Sequence, residues 1–288
     1  MNPIVNPATT SHFFWRRLAS SAIFAAACAI AGCGSSGTEA VPVTNRAEVF
    51  SPVVTKVVFE MAYAPGAEPW MEGFGGSTRG FLLMERNALR LFSGPEKILE
   101  IPTSLDQMAK LDDVTQTDFT SQDLLDIAAK HRSKVSAGNT AAYYFLWVNG
   151  YFSKDGQRNN AVLGVSVGDS GVIAVFKPAL QENLDALVTS TDTPAEKLRL
   201  AADSRLVEQM VMLHELGHAV GLVNDGLPMS TEHQDADHGH HCSNPNCLMY
   251  WMNSRFNSVR QFVTTRMTSG ESAVFDDACL ADAAAYGK

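Results

Sequence analysis

Apolar positions along this chain follow two periods. Val53 to Ala64 (VVTKVVFEMAYA) is rich in β-branched and aromatic residues and predicts a strand ended by Pro65-Gly66. Gly80 to Phe92 switches to helical spacing through Phe81, Leu82, Met84, Leu89 and Phe92. Lys97 to Ile101 predicts a short strand. Ser121 to about His131 predicts a helix capped by Ser121-Gln-Asp, with Leu124, Leu125, Ile127 and Ala128 following the cap and His131 solvated near its C-terminus. Ala141 to Phe152 (AAYYFLWVNGYF) predicts a strand, with Asn149-Gly150 as a turn or bulge. Ala161 to Val167 and Gly171 to Lys177 flank Gly168-Asp-Ser-Gly171 and predict a hairpin that Pro178 ends.

From Thr193 the pattern is helical to about Leu222. Thr193 caps, Pro194 suits the first helical position and Glu196 completes a capping box; a break is expected near Asp203-Ser204. This helix carries His214-Glu215-Leu-Gly-His218 and runs to Gly221. Four residues separate the histidines, so both imidazoles project from one face, one turn apart. That is the spacing with which two nitrogens share a zinc ion, and it places the Glu215 carboxylate beside the metal, where it can take a proton from a coordinated water. Gly221 suits the left-handed residue that stops a helix.

Composition narrows the reading. With 288 residues the chain holds one large domain or two small ones. Its net charge of −9 argues against a nucleic-acid partner, which needs a basic face. At the N-terminus, Arg16 and Arg17 precede an apolar run from Leu18 to Ala31 that is short for a membrane-spanning helix. The run closes on Ile30-Ala31-Gly32-Cys33, which resembles a bacterial lipobox and implies a diacylglycerol anchor on Cys33. Gly34 in the next position implies, by the same resemblance, the outer membrane of a Gram-negative cell envelope. Residues 1–32 are accordingly read as a lipoprotein signal peptide and 33–45 as a flexible tether. Residues 46–223 are read as a catalytic subdomain and 224–288 as a C-terminal subdomain.

A catalytic zinc usually has three protein ligands. The run HELGHAVGL resembles the metzincin clan of metalloproteases, whose pattern is H-E-x-x-H-x-x-G-x-x-H/D followed by a methionine turn. Here the last position is Asn224, a poor zinc ligand. Further on, His241-Cys242-Ser-Asn-Pro-Asn-Cys247-Leu-Met249 is similar to the archaemetzincin subgroup. The resemblance implies His241 as third ligand, with His233 as runner-up, Met249 as the floor of the site, and an insertion over 224–240. It also implies an α+β fold: a twisted mixed β-sheet with backing helices and an active-site helix, then a small irregular C-terminal subdomain. Archaemetzincins carry a further C-x-x-C that completes a second zinc site, whereas this chain has only Cys279 downstream. A Cys242–Cys247 disulfide is therefore expected instead.

The activity so implied is zinc-dependent endopeptidase, with Glu215 as general base, one catalytic Zn2+ and a peptide or protein substrate. An edge strand within 161–177 would align that substrate, and Tyr250 is a candidate oxyanion helper or a core residue. The alternative is a non-catalytic zinc-binding surface lipoprotein using the histidine-rich segment 231–241, since six of the eight histidines fall between 214 and 241.

Overall fold

The computed structural model describes residues 46–71, 80–92, 97–188, 192–269 and 273–288. The signal, the tether and Cys33 lie outside them. The centre is a mixed sheet. Strand β1 (Lys56–Tyr63) lies parallel to β2 (Ile98–Glu100) at its start and to β3 (Ala109–Lys110) at its end. On its other side it runs parallel to β5 (Thr140–Val148), from Lys56↔Thr140 to Tyr63↔Trp147. Next comes β9 (Val172–Phe176), parallel to β5, and then β8 (Gly164–Ser166), antiparallel to β9 and forming the edge. Residues 141–148 are all buried, which is why the strand reads as an unbroken apolar run rather than an alternation: helices cover both faces of a parallel strand.

A second, three-stranded sheet orders β4 (Asp118–Phe119), β6 (Tyr151–Lys154) and β7 (Gln157–Asn159). The segment expected as one strand over 141–152 thus divides at Asn149-Gly150. Gly150 has no room for a side chain, since a Cβ would lie 2.5 Å from the Thr117 carbonyl oxygen.

Helices pack on the main sheet and on one another. They are α1 (Leu82–Leu91), α2 (Ser121–His131), α3 (Lys177–Asp185), α4 (Pro194–Ala219), α5 (Phe256–Ser269) and α6 (Asp277–Tyr286). Three expectations need correction. The cap of α2 is Thr120 in a reciprocal capping box with Asp123, not a residue from Ser121 onward. His131 is half-buried, with Nε2 3.1 Å from Asp113 Oδ2, rather than solvated. Pro178 starts a helix instead of merely ending a strand, because its fixed φ and missing N–H suit the first turn of α3.

The 26-residue helix α4 is continuous through Asp203-Ser204. Ser204 Oγ donates back to the Leu200 carbonyl at 2.8 Å, so the hydroxyl is satisfied without opening the helix. Lower on α4, Gln209 Oε1 accepts the Leu83 and Met84 N–H groups at 3.1 Å, satisfying donors that the first turn of α1 leaves open. Buried Glu208 accepts from Trp147 Nε1 at 2.7 Å and pairs with buried Lys177, whose ammonium lies 3.5 Å from the centroid of the Trp70 ring. These contacts fix α4 to the sheet. Among the described residues, no helix is long and apolar enough to cross a membrane.

Candidate metal centre

α4 delivers His214, Glu215 and His218 beneath the β8 edge. His241 arrives from the segment 224–250, which folds back against the last turns of α4. The three imidazoles converge: ring centroids are 4.9 Å apart for His214 and His218, 4.9 Å for His218 and His241, and 5.4 Å for His214 and His241. One nitrogen from each lies within 4.8 Å of the others. His214 Nδ1 is 2.9 Å from the Leu248 carbonyl and His241 Nδ1 2.7 Å from the His238 carbonyl. A carbonyl accepts only from N–H, so both Nδ1 atoms carry the proton and both Nε2 lone pairs are open.

Electrostatics favour the same state. Burial and the neighbouring His241 lower His214 to about 4. Burial and the nearby His214 push His218 well below the usual histidine range, and burial lowers His241. All three are therefore neutral at neutral pH, the form that binds a metal. A tripod of neutral imidazoles suits a zinc ion with a coordination position left open.

Glu215 is buried, and desolvation raises its pKa to about 8, against the pull of a hydrogen bond from the Ser166 backbone N–H. A cation beside it would favour the carboxylate form. Gly164 makes this approach possible: a Cβ there would sit 2.7 Å from Val211 Cγ1 and 3.0 Å from Glu215 Cγ. On the opposite side of α4, Gly217 admits Met249, which is fully buried; a Cβ at Gly217 would lie 2.3 Å from its Sδ. Gly221 takes the expected left-handed conformation, φ +83°. Arg46 bonds the His218 carbonyl at 3.3 Å and pairs with Asp225, closing the helix end. A cleft of about 830 Å³ opens above the histidines.

The other sequence candidates lie elsewhere. His233 is buried, with Nε2 2.7 Å from Asp282 Oδ2, so the runner-up ligand is committed to α6. His238 lies 2.8 Å from Asp235 and stacks on Trp251 at 4.0 Å. His240 faces the Val223 carbonyl, and Asn224 Nδ2 donates to Gln234 Oε1 at 3.2 Å. Tyr250 lines a separate hollow with Pro245 and Arg266, away from the histidines.

The expected Cys242–Cys247 disulfide gives way to a larger cluster. Cys242, Cys247 and Cys279 are buried free thiols, with Cys247 Sγ 3.6 Å from Cys279 Sγ. Asp276, the N-cap of α6, joins them, and the four donor atoms lie within 4.8 Å of one another. The reason is tertiary: α6 brings Asp276 and Cys279 back against the 242–247 loop. The Cys247 and Cys279 thiols hold Cys242 low, while burial pushes Cys247 up. Three sulfurs and a carboxylate suit a soft divalent ion such as zinc.

No protein-family profile matches the chain, and no curated protein is detectably similar to it in sequence. Two solved structures are similar to it. A zinc-dependent peptidase from Methanocorpusculum labreanum shares 13% identity at a TM-score of 0.41, covering 78% of this chain and 99% of that one. The archaemetzincin from Archaeoglobus fulgidus, in complex with malonate, shares 15% identity at a TM-score of 0.35, covering 79% and 99%. At these values the similarity decides nothing about the chemistry, which rests on the side chains.

Proposed function

We propose that the chain is a zinc-dependent endopeptidase. The observation that supports this is the convergence of the His214, His218 and His241 imidazoles, with Glu215 beside them, at the floor of an open cleft. These three histidines would hold one ion. Zinc in such a site supplies Lewis acidity, acidifying a water and drawing electron density from a carbonyl. Glu215 takes the proton from the attacking water and hands it to the leaving amine, which requires it to alternate between carboxylate and acid; burial favours the acid, and the adjacent ion would favour the carboxylate. β8 offers an exposed strand edge above the site, along which an extended peptide would pair. Anchoring through Cys33 at the outer membrane belongs to the same proposal and is supported by residues 16–34 alone.

A non-catalytic zinc-binding lipoprotein is the weaker reading. It needs the extra histidines for capture, and His233 and His238 are instead engaged by Asp282 and Asp235. The test is cleavage of a mixed peptide library by the zinc-loaded protein beside Glu215→Ala. Hydrolysis by the parent alone, with zinc retained in the variant, is the expected result. Zinc loss in Glu215→Ala, or equal hydrolysis by both, would overturn the role of Glu215.

A further inference from the structure

The cleft has one rim of apolar character, Val162, Leu163 and Val165 at the β8 edge, and a second rim formed by residues 252–258. One acidic and one basic side chain line it besides the histidines. One is Glu215, already committed to proton transfer. The other is Arg255, which is exposed and, among the described residues, forms no ion pair. Three other arginines are matched by carboxylates: Arg46 with Asp169 and Asp225, Arg158 with Asp118, Arg260 with Asp203.

Arg255 is also held at a fixed point. Its N–H donates to the Met252 carbonyl and its own carbonyl accepts from Val259 N, both at 3.0 Å, so it joins a 3-10 turn (Trp251–Ser254) to α5. Buried Asn253 ties that turn to the Cys247 carbonyl at 2.9 Å, and Trp251 is stacked by His238. The guanidinium lies 5.6 Å from the Trp251 ring centroid. A long cation on a rigid base, facing an open cleft in a protein of net charge −9, is a local attractor in a repulsive field.

We propose that Arg255 selects substrates bearing an Asp or Glu side chain near the scissile bond. The geometry of guanidinium and carboxylate, two parallel N–H···O bonds, gives preference over the isosteric amide. This deepens the endopeptidase reading and rests on it.

The probe is a pool of mixed-sequence decapeptides in which one fixed position, Glu or Gln, is stepped along the peptide, each made as free acid and as C-terminal amide. Initial rates with the zinc-loaded protein are read by mass spectrometry. The expected ratio of kcat/KM for Glu over Gln at one position is about two- to fivefold, the range of a solvent-exposed ion pair. Arg255→Ala brings the ratio near one, and Arg255→Glu inverts it toward a Lys-bearing pool. A preference for free acids over amides without any preference for Glu over Gln would point to the C-terminal carboxylate and overturn the proposal. An unchanged ratio in Arg255→Ala, or no preference in the parent, overturns the proposal. If the parent cleaves no peptide, the endopeptidase reading fails separately. Binding of the fluorescent Glu and Gln pools to zinc-loaded Glu215→Ala then decides the role of Arg255, and equal affinities sink it.

Discussion

Gly164→Ala is the smallest change expected to disable the site without touching a ligand. Normal carbon–carbon contacts are about 3.5–4.0 Å. The new methyl would meet Val211 Cγ1 at 2.7 Å, Glu215 Cγ at 3.0 Å and the Ala174 carbonyl oxygen at 3.1 Å. Ala174 belongs to β9, so the methyl is trapped between its own sheet and α4. Relief requires β8 and α4 to separate by roughly 0.5–1 Å, at an overpacking cost of about 1–3 kcal/mol. Tm should then fall by roughly 2–10 °C for a domain of this size. The same shift moves Glu215 and its bond from Ser166, and a misplacement of about 1 Å in a reacting group costs on the order of a hundredfold in rate. His214, His218 and His241 are not contacted, so zinc should still fill the site at saturation, with some loss of affinity because α4 carries His214 and His218. The assay pairs kcat/KM on a cleaved peptide with zinc stoichiometry and a thermal melt. Full activity with an unchanged Tm would refute the claim that β8 seats the general base.

Three further outcomes follow from the same geometry. His241→Ala should lower zinc occupancy at the catalytic site more than His233→Ala or His238→Ala, measured by competition with a chromophoric chelator; the reverse order would move the third ligand into the insertion. Glu208→Gln leaves the Lys177 ammonium buried without its partner and should cost about 3–5 kcal/mol in a urea melt. Desolvation already lowers Lys177, so between its folded pKa and the unfolded 10.5 the unfolded chain binds more protons and stability rises with pH. Losing the Glu208 carboxylate lowers Lys177 further, so Glu208→Gln should gain stability from pH 7 to 10 more steeply than the parent, and parallel profiles would contradict the pairing. Cys279→Ser should reduce the zinc content of the loaded protein from about two ions to about one, while Cys242 and Cys247 stay reduced by mass.

What the sequence revealed was short-range. His214, Glu215 and His218 are fixed by one helical turn, and Thr193, Pro194 and Glu196 mark their helix from its other end. The apolar run of β5 announced a strand. What it concealed depends on contacts across the chain. The second sheet is built from strands of two to four residues, too short to show a period. Choosing among four clustered histidines required knowing that Asp282, 49 residues away, claims His233. Arg46 and Gly164 carry no local pattern at all; one is an arginine among many, the other a glycine in a strand, which by itself signals only a close approach.

The cysteine cluster shows how the two donor sets depend on each other. Cys242 directly follows His241, and Cys247 directly precedes Leu248, whose carbonyl orients His214. Cys242 N donates to the Met249 carbonyl at 2.8 Å, and Leu248 N donates to the Val274 carbonyl at 2.8 Å, just ahead of α6. Residues 241–249 are thus held at both ends by atoms that Cys279 and Asp276 gather. A third ligand on a loop needs such support, because an imidazole misplaced by an ångström loses its place in the tripod. Loss of the cluster should therefore weaken zinc at the histidines as well. Cys279→Ser would show that coupling as a lower affinity for the one ion it retains, with His214 and His218 unchanged in sequence. Undiminished affinity would mean that the hydrogen bonds to Leu248 and His238 position the histidines unaided.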